Sequence, residues 1–196
     1  MSKHKNLGAI FLDADGVLWK DVGAGGILSA EDHAIQNLGL LSSNSAEPRL
    51  KIIISNQTYA ARKNMNYFKF KSYVNSFFGS LIKMGLLDDY AICYHHPNAN
   101  NVFLRKKCEC RKPMPGSLYS MARKHNIDLQ KSVLIGDRIT DIQSGRAAGI
   151  QNLYLLLNDR MLEINANSTI PPLYHVFTPL KELKEFTLIQ ELNNEN

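Results

Sequence analysis

Ala9-Ile10-Phe11-Leu12-Asp13-Ala14-Asp15-Gly16 sets four apolar residues before two carboxylates, one residue apart, and a glycine. A strand with no polar face is covered on both sides, as in parallel sheets flanked by helices. Such sheets bind ligands at the carboxyl ends of their strands, which is where Asp13 and Asp15 fall. Alternation sends these two acids to one side and Ala14 to the other. One carboxylate of such a pair can attack or hold a metal while the other moves a proton. An acidic turn would produce the same tetrapeptide, so the reading depends on the rest of the chain.

Outward from this stretch, short apolar runs recur at Lys51 to Ile54, Tyr90 to Cys93, Ser132 to Ile135 and Gln151 to Leu157. Helical patterns separate them. Ser29-Ala30-Glu31-Asp32 has the form of a capping box ahead of Ile35, Leu38 and Leu41. Phe70, Tyr73, Val74, Phe77, Phe78, Leu81 and Ile82 form an apolar stripe that reads as core. A further helix is expected from about Pro115 to His125, and another after Thr140 with Gly149 as its C-terminal cap. Strand-helix alternation predicts an α/β protein with a doubly wound, Rossmann-like parallel sheet. No repeat or linker interrupts it; we read residues 1–190 as one domain and 191–196 as a frayed tail.

The chain has 196 residues, 44% hydrophobic and 21% charged, the balance of a folded soluble domain. Met1 to Asn6 lead into the first strand without a secretory apolar region, and no run approaches the roughly 20 residues of a membrane span. A cytoplasmic, monomeric protein is expected. The net charge of +5 favours anionic ligands. Its basic residues are scattered and carry no aromatic RNA-binding signature, so a small phosphorylated molecule is the expected partner rather than nucleic acid.

Three more strand ends carry reactive groups: Ser55-Asn56-Gln57, Arg111-Lys112-Pro113 and Gly136-Asp137-Arg138-Ile139-Thr140-Asp141. Each alone is a polar turn, a basic pair or a helix cap. The three cysteines, Cys93, Cys108 and Cys110, all fall in the segment between the second and third of the chain's strand-end motifs, beside His95 and His96. An odd count in a cytoplasmic chain argues against disulfides. Cys-x-His and Cys-x-Cys arms across a loop suit a four-coordinate structural Zn²⁺. We take Cys93, His95, Cys108 and Cys110 as its ligands, with His96 the alternative to His95. Clamping the 93–110 loop would fix Arg111 and Lys112, which follow it directly.

The four ordered motifs Asp13-x-Asp15-Gly16, Ser55, Lys112 and Gly136-Asp137-x-x-x-Asp141 resemble those of the haloacid dehalogenase superfamily over nearly the whole chain. The resemblance implies an Mg²⁺-dependent phosphomonoester hydrolase. Asp13 would be the nucleophile that forms an aspartyl phosphate, and Asp15 the general acid and then base. Ser55 and Lys112 would compensate charge on the phosphoryl oxygens. Mg²⁺ would sit on Asp13, the Asp15 carbonyl and Asp137, with Asp141 orienting Lys112 or a metal-bound water.

Cys93-Tyr94-His95-His96-Pro97 through Cys108-Glu109-Cys110-Arg111-Lys112-Pro113 is similar to the zinc-containing D-glycero-D-manno-heptose 1,7-bisphosphate phosphatases and their histidinol-phosphate relatives. The longer zinc loop favours the heptose branch, which has a minimal cap. It implies Asn56, Arg62 and Arg111 as substrate-binding residues. Departures from the branch are Ala14 for Arg, Val17 for Thr, Thr58-Tyr59 for Ser-Gly, and the whole Lys20–Leu28 loop. They leave a histidinol-phosphate or nucleic-acid 3′-phosphatase, or a non-catalytic zinc-stabilised binding protein, as alternatives.

Overall fold

The computed structural model describes residues 7–19, 49–62, 66–156 and 175–177; the side chains of residues 60, 62 and 175–177 are outside the description. Six strands, β1 (Ala9–Leu12), β2 (Leu50–Asn56), β3 (Asp89–Cys93), β4 (Val133–Gly136), β5 (Asn152–Leu156) and β6 (His175–Phe177), form one sheet in the order β3-β2-β1-β4-β5-β6. Every adjacent pair is parallel. This is the doubly wound order, with the chain reversing direction of growth between β1 and β4. Four helices are described: α1 (Tyr59–Arg62), α2 (Tyr67–Lys83), α3 (Gly116–His125) and α4 (Ile139–Ala147).

The sheet has two apolar faces because successive strand residues alternate sides. Ile10, Leu12, Ile53, Ile135 and Tyr154 pack with Phe70, Val74, Phe78 and Leu81 of α2. Ala9, Phe11, Ile52, Ile54, Leu134, Leu153 and Leu155 pack on the other side with Leu118 and Met121 of α3 and Ile142 of α4. The unbroken apolar reading of β1 follows directly, since all four of its residues are buried.

Helix ends are fixed by side chains and turns. Asn66 Oδ1 accepts the N–H groups of Phe68 (3.0 Å) and Lys69 (3.1 Å), capping α2. Of the expected α2 stripe, Ile82 is on the outside at 36% exposure, because the helix meets the sheet over only part of its circumference. Gly149 takes φ +86° directly after α4, as its expected capping role requires. Asp89 of β3 is tied to α3 by Lys124 Nζ and His125 Nε2, each at 2.6 Å.

β6 was not among the expected strands; it is three residues long and too short for a periodic signal. The expected helix after Ser29, the Lys20–Leu28 loop and the 191–196 tail lie outside the described residues.

Candidate active site and metal centre

The site gathers at the carboxyl ends of β1, β2 and β4, on both sides of the reversal point. Asp13 follows β1 directly, and its N–H donates to the Ile135 carbonyl of β4 (2.9 Å). Asp137 follows β4, and Asp141 lies in the first turn of α4. Carboxylate oxygens of Asp13, Asp137 and Asp141 lie within 4.8 Å of one another, and all three residues are buried. Gly16 holds φ +79° beside them, and a side chain there would collide with Asp137.

Lys112, just after the 93–110 loop, enters this acidic cluster. Its ammonium lies 2.9 Å from Asp13 Oδ1 and 2.6 Å from Asp141 Oδ1, and donates to the Ile54 carbonyl at 2.8 Å. Burial alone would lower the Lys112 pKa, but Asp13 and Asp141 outweigh it and hold it above the ordinary lysine value. Burial pushes Asp141 up to about 6, with Asp13 adding to the rise and Lys112 opposing it. Of the three buried carboxylates, two share the Lys112 ammonium, and the third, Asp137, lies 4.0 Å from the largely exposed Arg138 guanidinium. That excess of negative charge, on hard oxygen donors, fits a divalent cation such as Mg²⁺.

Asp141 does two jobs at once. Oδ1 faces Lys112, while Oδ2 accepts the Arg138 N–H at the start of α4 (2.9 Å). A carboxylate there also meets the positive end of the helix dipole. Ser55 ends up 2% exposed, with its Oγ accepting from Gln57 Nε2 at 3.1 Å. Asp15 is held by Gln57 Nε2 on Oδ2 and by Trp19 Nε1 on Oδ1, both at 2.7 Å.

The family resemblance implies a substrate-binding role for Asn56. In the structure its carboxamide spans the Lys112 backbone: Oδ1 accepts the Lys112 N–H and Nδ2 donates to the Lys112 carbonyl, both at 3.1 Å. Asn56 therefore pins the segment that carries the lysine. Arg111 donates from Nη1 to the His95 carbonyl at 3.2 Å. The Arg62 side chain lies outside the described residues.

Cys93, at the end of β3, meets His95, Cys108 and Cys110 in a second cluster. Its S–S separations are 3.3, 3.3 and 3.7 Å, and His95 Nδ1 lies 3.4 Å from Cys110 Sγ and 3.8 Å from Cys93 Sγ. A tetrahedron with Zn–S bonds of about 2.3 Å has S–S edges of about 3.8 Å; one separation matches that edge and two are shorter, so the four donors are grouped closely enough to converge on one ion. Proton sharing with Cys93 draws the Cys110 thiol down to about 5 against the effect of burial, with His95 and Cys108 assisting. The same interaction and then burial push Cys93 upward. His96 faces away from this role, its Nδ1 accepting the Asn98 N–H at 3.1 Å.

Residues 109–183 match the HAD-hydrolase-like family. A D-glycero-alpha-D-manno-heptose-1,7-bisphosphate 7-phosphatase of Photorhabdus laumondii is 32% identical over 161 residues, covering 79% of this chain and 85% of that one. The D-glycero-beta-D-manno-heptose-1,7-bisphosphate 7-phosphatase of Yersinia pestis is 34% identical over 150 residues, covering 72% and 76%. The chain belongs to the haloacid dehalogenase-like phosphatases. Its fold is also that of D,D-heptose 1,7-bisphosphate phosphatase from B. bronchiseptica, solved with magnesium and phosphate. The two share a TM-score of 0.71 and 24% identity, covering 97% of this chain and 100% of that one.

In this phosphatase Asp13, Asp15, Ser55, Lys112, Asp137 and Asp141 come together in space among the described residues. Sequence reasoning missed the grip of Trp19 and Gln57 on Asp15. A tryptophan after an acidic turn reads as core, and only the fold shows where its N–H points.

Proposed function

We propose that this phosphatase hydrolyses a sugar bisphosphate, D-glycero-D-manno-heptose 1,7-bisphosphate, through an aspartyl phosphate on Asp13. The observation that carries the chemistry is the buried Asp13–Lys112–Asp141 array beside Asp137. The bonds recorded to the Asp13 carboxylate, from the Ala14 N–H (2.7 Å) and from Lys112, both fall on Oδ1. Oδ2 is then the attacking oxygen. It bonds to phosphorus as the ester P–O bond breaks, and the leaving oxygen keeps that electron pair and takes the Asp15 proton. Asp15 next removes a proton from water, whose oxygen attacks phosphorus, and the Asp13 carboxylate is released with inorganic phosphate.

Asp13, Asp137 and the Asp15 carbonyl would hold Mg²⁺, which when bound offsets charge on the phosphoryl oxygens. Lys112 and Ser55 supply the protein's own share of that compensation. Cys93, His95, Cys108 and Cys110 would hold a structural Zn²⁺ that keeps Arg111 and Lys112 against the crevice. The substrate reading rests on the two relatives at 32% and 34% identity, with Arg111 and Arg62 as cationic forks for a remote phosphate.

A phosphate-release comparison tests it. Heptose 1,7-bisphosphate should exceed heptose monophosphate, histidinol phosphate and a 3′-phosphorylated oligonucleotide in kcat/KM, because remote binding energy can raise turnover. Equal values for all four would remove the substrate assignment.

A further inference from the structure

The loop after β1 turns back on itself. Leu18 N–H donates to the Ala14 carbonyl (2.9 Å) and Gly16 N–H to the Trp19 carbonyl (2.8 Å), which returns Trp19 over Asp15. The indole is 3% exposed, edge-on to Phe77 at 5.2 Å and tilted against Phe78 at 5.7 Å. At that depth an indole N–H needs a partner. It donates to Asp15 Oδ1 at 2.7 Å, while Gln57 from the other side of the crevice donates to Oδ2 at 2.7 Å and to Ser55 Oγ at 3.1 Å.

We propose that Trp19, with Gln57, is a positioning residue for the acid-base step of Asp15, and that it equips the enzyme for leaving groups that must be protonated as they depart. This rests on the reading of Asp15 as acid and base. A carboxyl that gives a proton to one oxygen and takes one from water must stay aimed at one point, and small misplacements are costly. The Phe77–Phe78 contacts fix the indole, and the indole fixes the carboxyl. An indole only donates, so Oδ1 stays an acceptor in both protonation states. Gln57 Nε2 likewise donates to Oδ2, so the two donors orient the carboxyl from both oxygens in either protonation state.

The test uses the full-length enzyme with phenyl phosphate and p-nitrophenyl phosphate, substrates of similar shape whose leaving groups differ in their need for a proton. Trp19→Phe keeps a ring against Phe77 and Phe78 and deletes the N–H. It should lower kcat/KM for phenyl phosphate about tenfold, part of the 10²–10⁴-fold range of general acid catalysis, and change p-nitrophenyl phosphate by less than about twofold. Equal losses on both substrates, or none on either, would overturn the proposal. Asp15→Asn should show the same leaving-group dependence more steeply; wild-type rates on phenyl phosphate in that variant would overturn the reading of Asp15 itself. Trp19 is the chain's single tryptophan, so its emission reports the contact without reference to turnover. Asp15→Ala should shift that emission, and an unmoved spectrum would also overturn the proposal.

Discussion

Lys112 lies 4% exposed between two carboxylates, 2.9 Å from Asp13 and 2.6 Å from Asp141. Removing one member of such an array strands buried charge of the opposite sign, at a cost of roughly 3–5 kcal/mol. Lys112→Met should destabilise the fold on that scale and lower kcat by about 10²–10³, the range for losing one preorganised electrostatic group. Adding Asp141→Asn should recover part of the stability, by relieving the stranded charge, while kcat stays low. Denaturant unfolding and steady-state rates on the wild type and the two variants check both halves. Recovery of activity together with stability would show that Lys112 serves packing alone. From sequence, Lys112 was visible because Arg111-Lys112-Pro113 falls in order between the Ser55 and Asp137 motifs. Its support by Asn56 was not, since a carboxamide at a strand end gives no hint of which backbone it will span 56 residues away.

At the level of elements, the strands were legible because each is buried on both faces and so reads as an unbroken apolar run. β2 extends past its expected end to Asn56, which places Ser55 on the sheet itself. α3 and α4 were legible from Pro115 and Gly149. The cysteine-histidine cluster was legible from the clustering of cysteines, and the structure groups His95 with them while His96 Nδ1 accepts the Asn98 N–H. Metal binding of this kind is coupled to folding. Freshly purified protein should carry one Zn²⁺ per chain, and Cys108→Ser should lose it. Such a loss should lower Tm by several degrees, since about 1 kcal/mol corresponds to 2–4 °C in a domain this size. Metal analysis and thermal unfolding check this; a variant with full zinc content and unchanged Tm would remove Cys108 from the site.

Across the whole molecule, the sheet order brings together residues from distant parts of the chain: Asp13 after β1, Ser55 on β2, Lys112 beyond the 93–110 loop, and Asp137 and Asp141 around β4. The crossovers that give this order bring Asp13, Ser55, Lys112, Asp137 and Asp141 to one edge of the sheet. The proposed mechanism turns on covalent catalysis at Asp13. Asp15→Asn with p-nitrophenyl phosphate isolates it, because this leaving group departs without a proton donor whereas the second half-reaction lacks its base. Rapid acid quenching followed by peptide mass spectrometry should find close to one phosphoryl group per chain, on the peptide containing Asp13. Release of p-nitrophenol with no phosphorylated peptide at any quench time, or with the phosphoryl group on another residue, would contradict it.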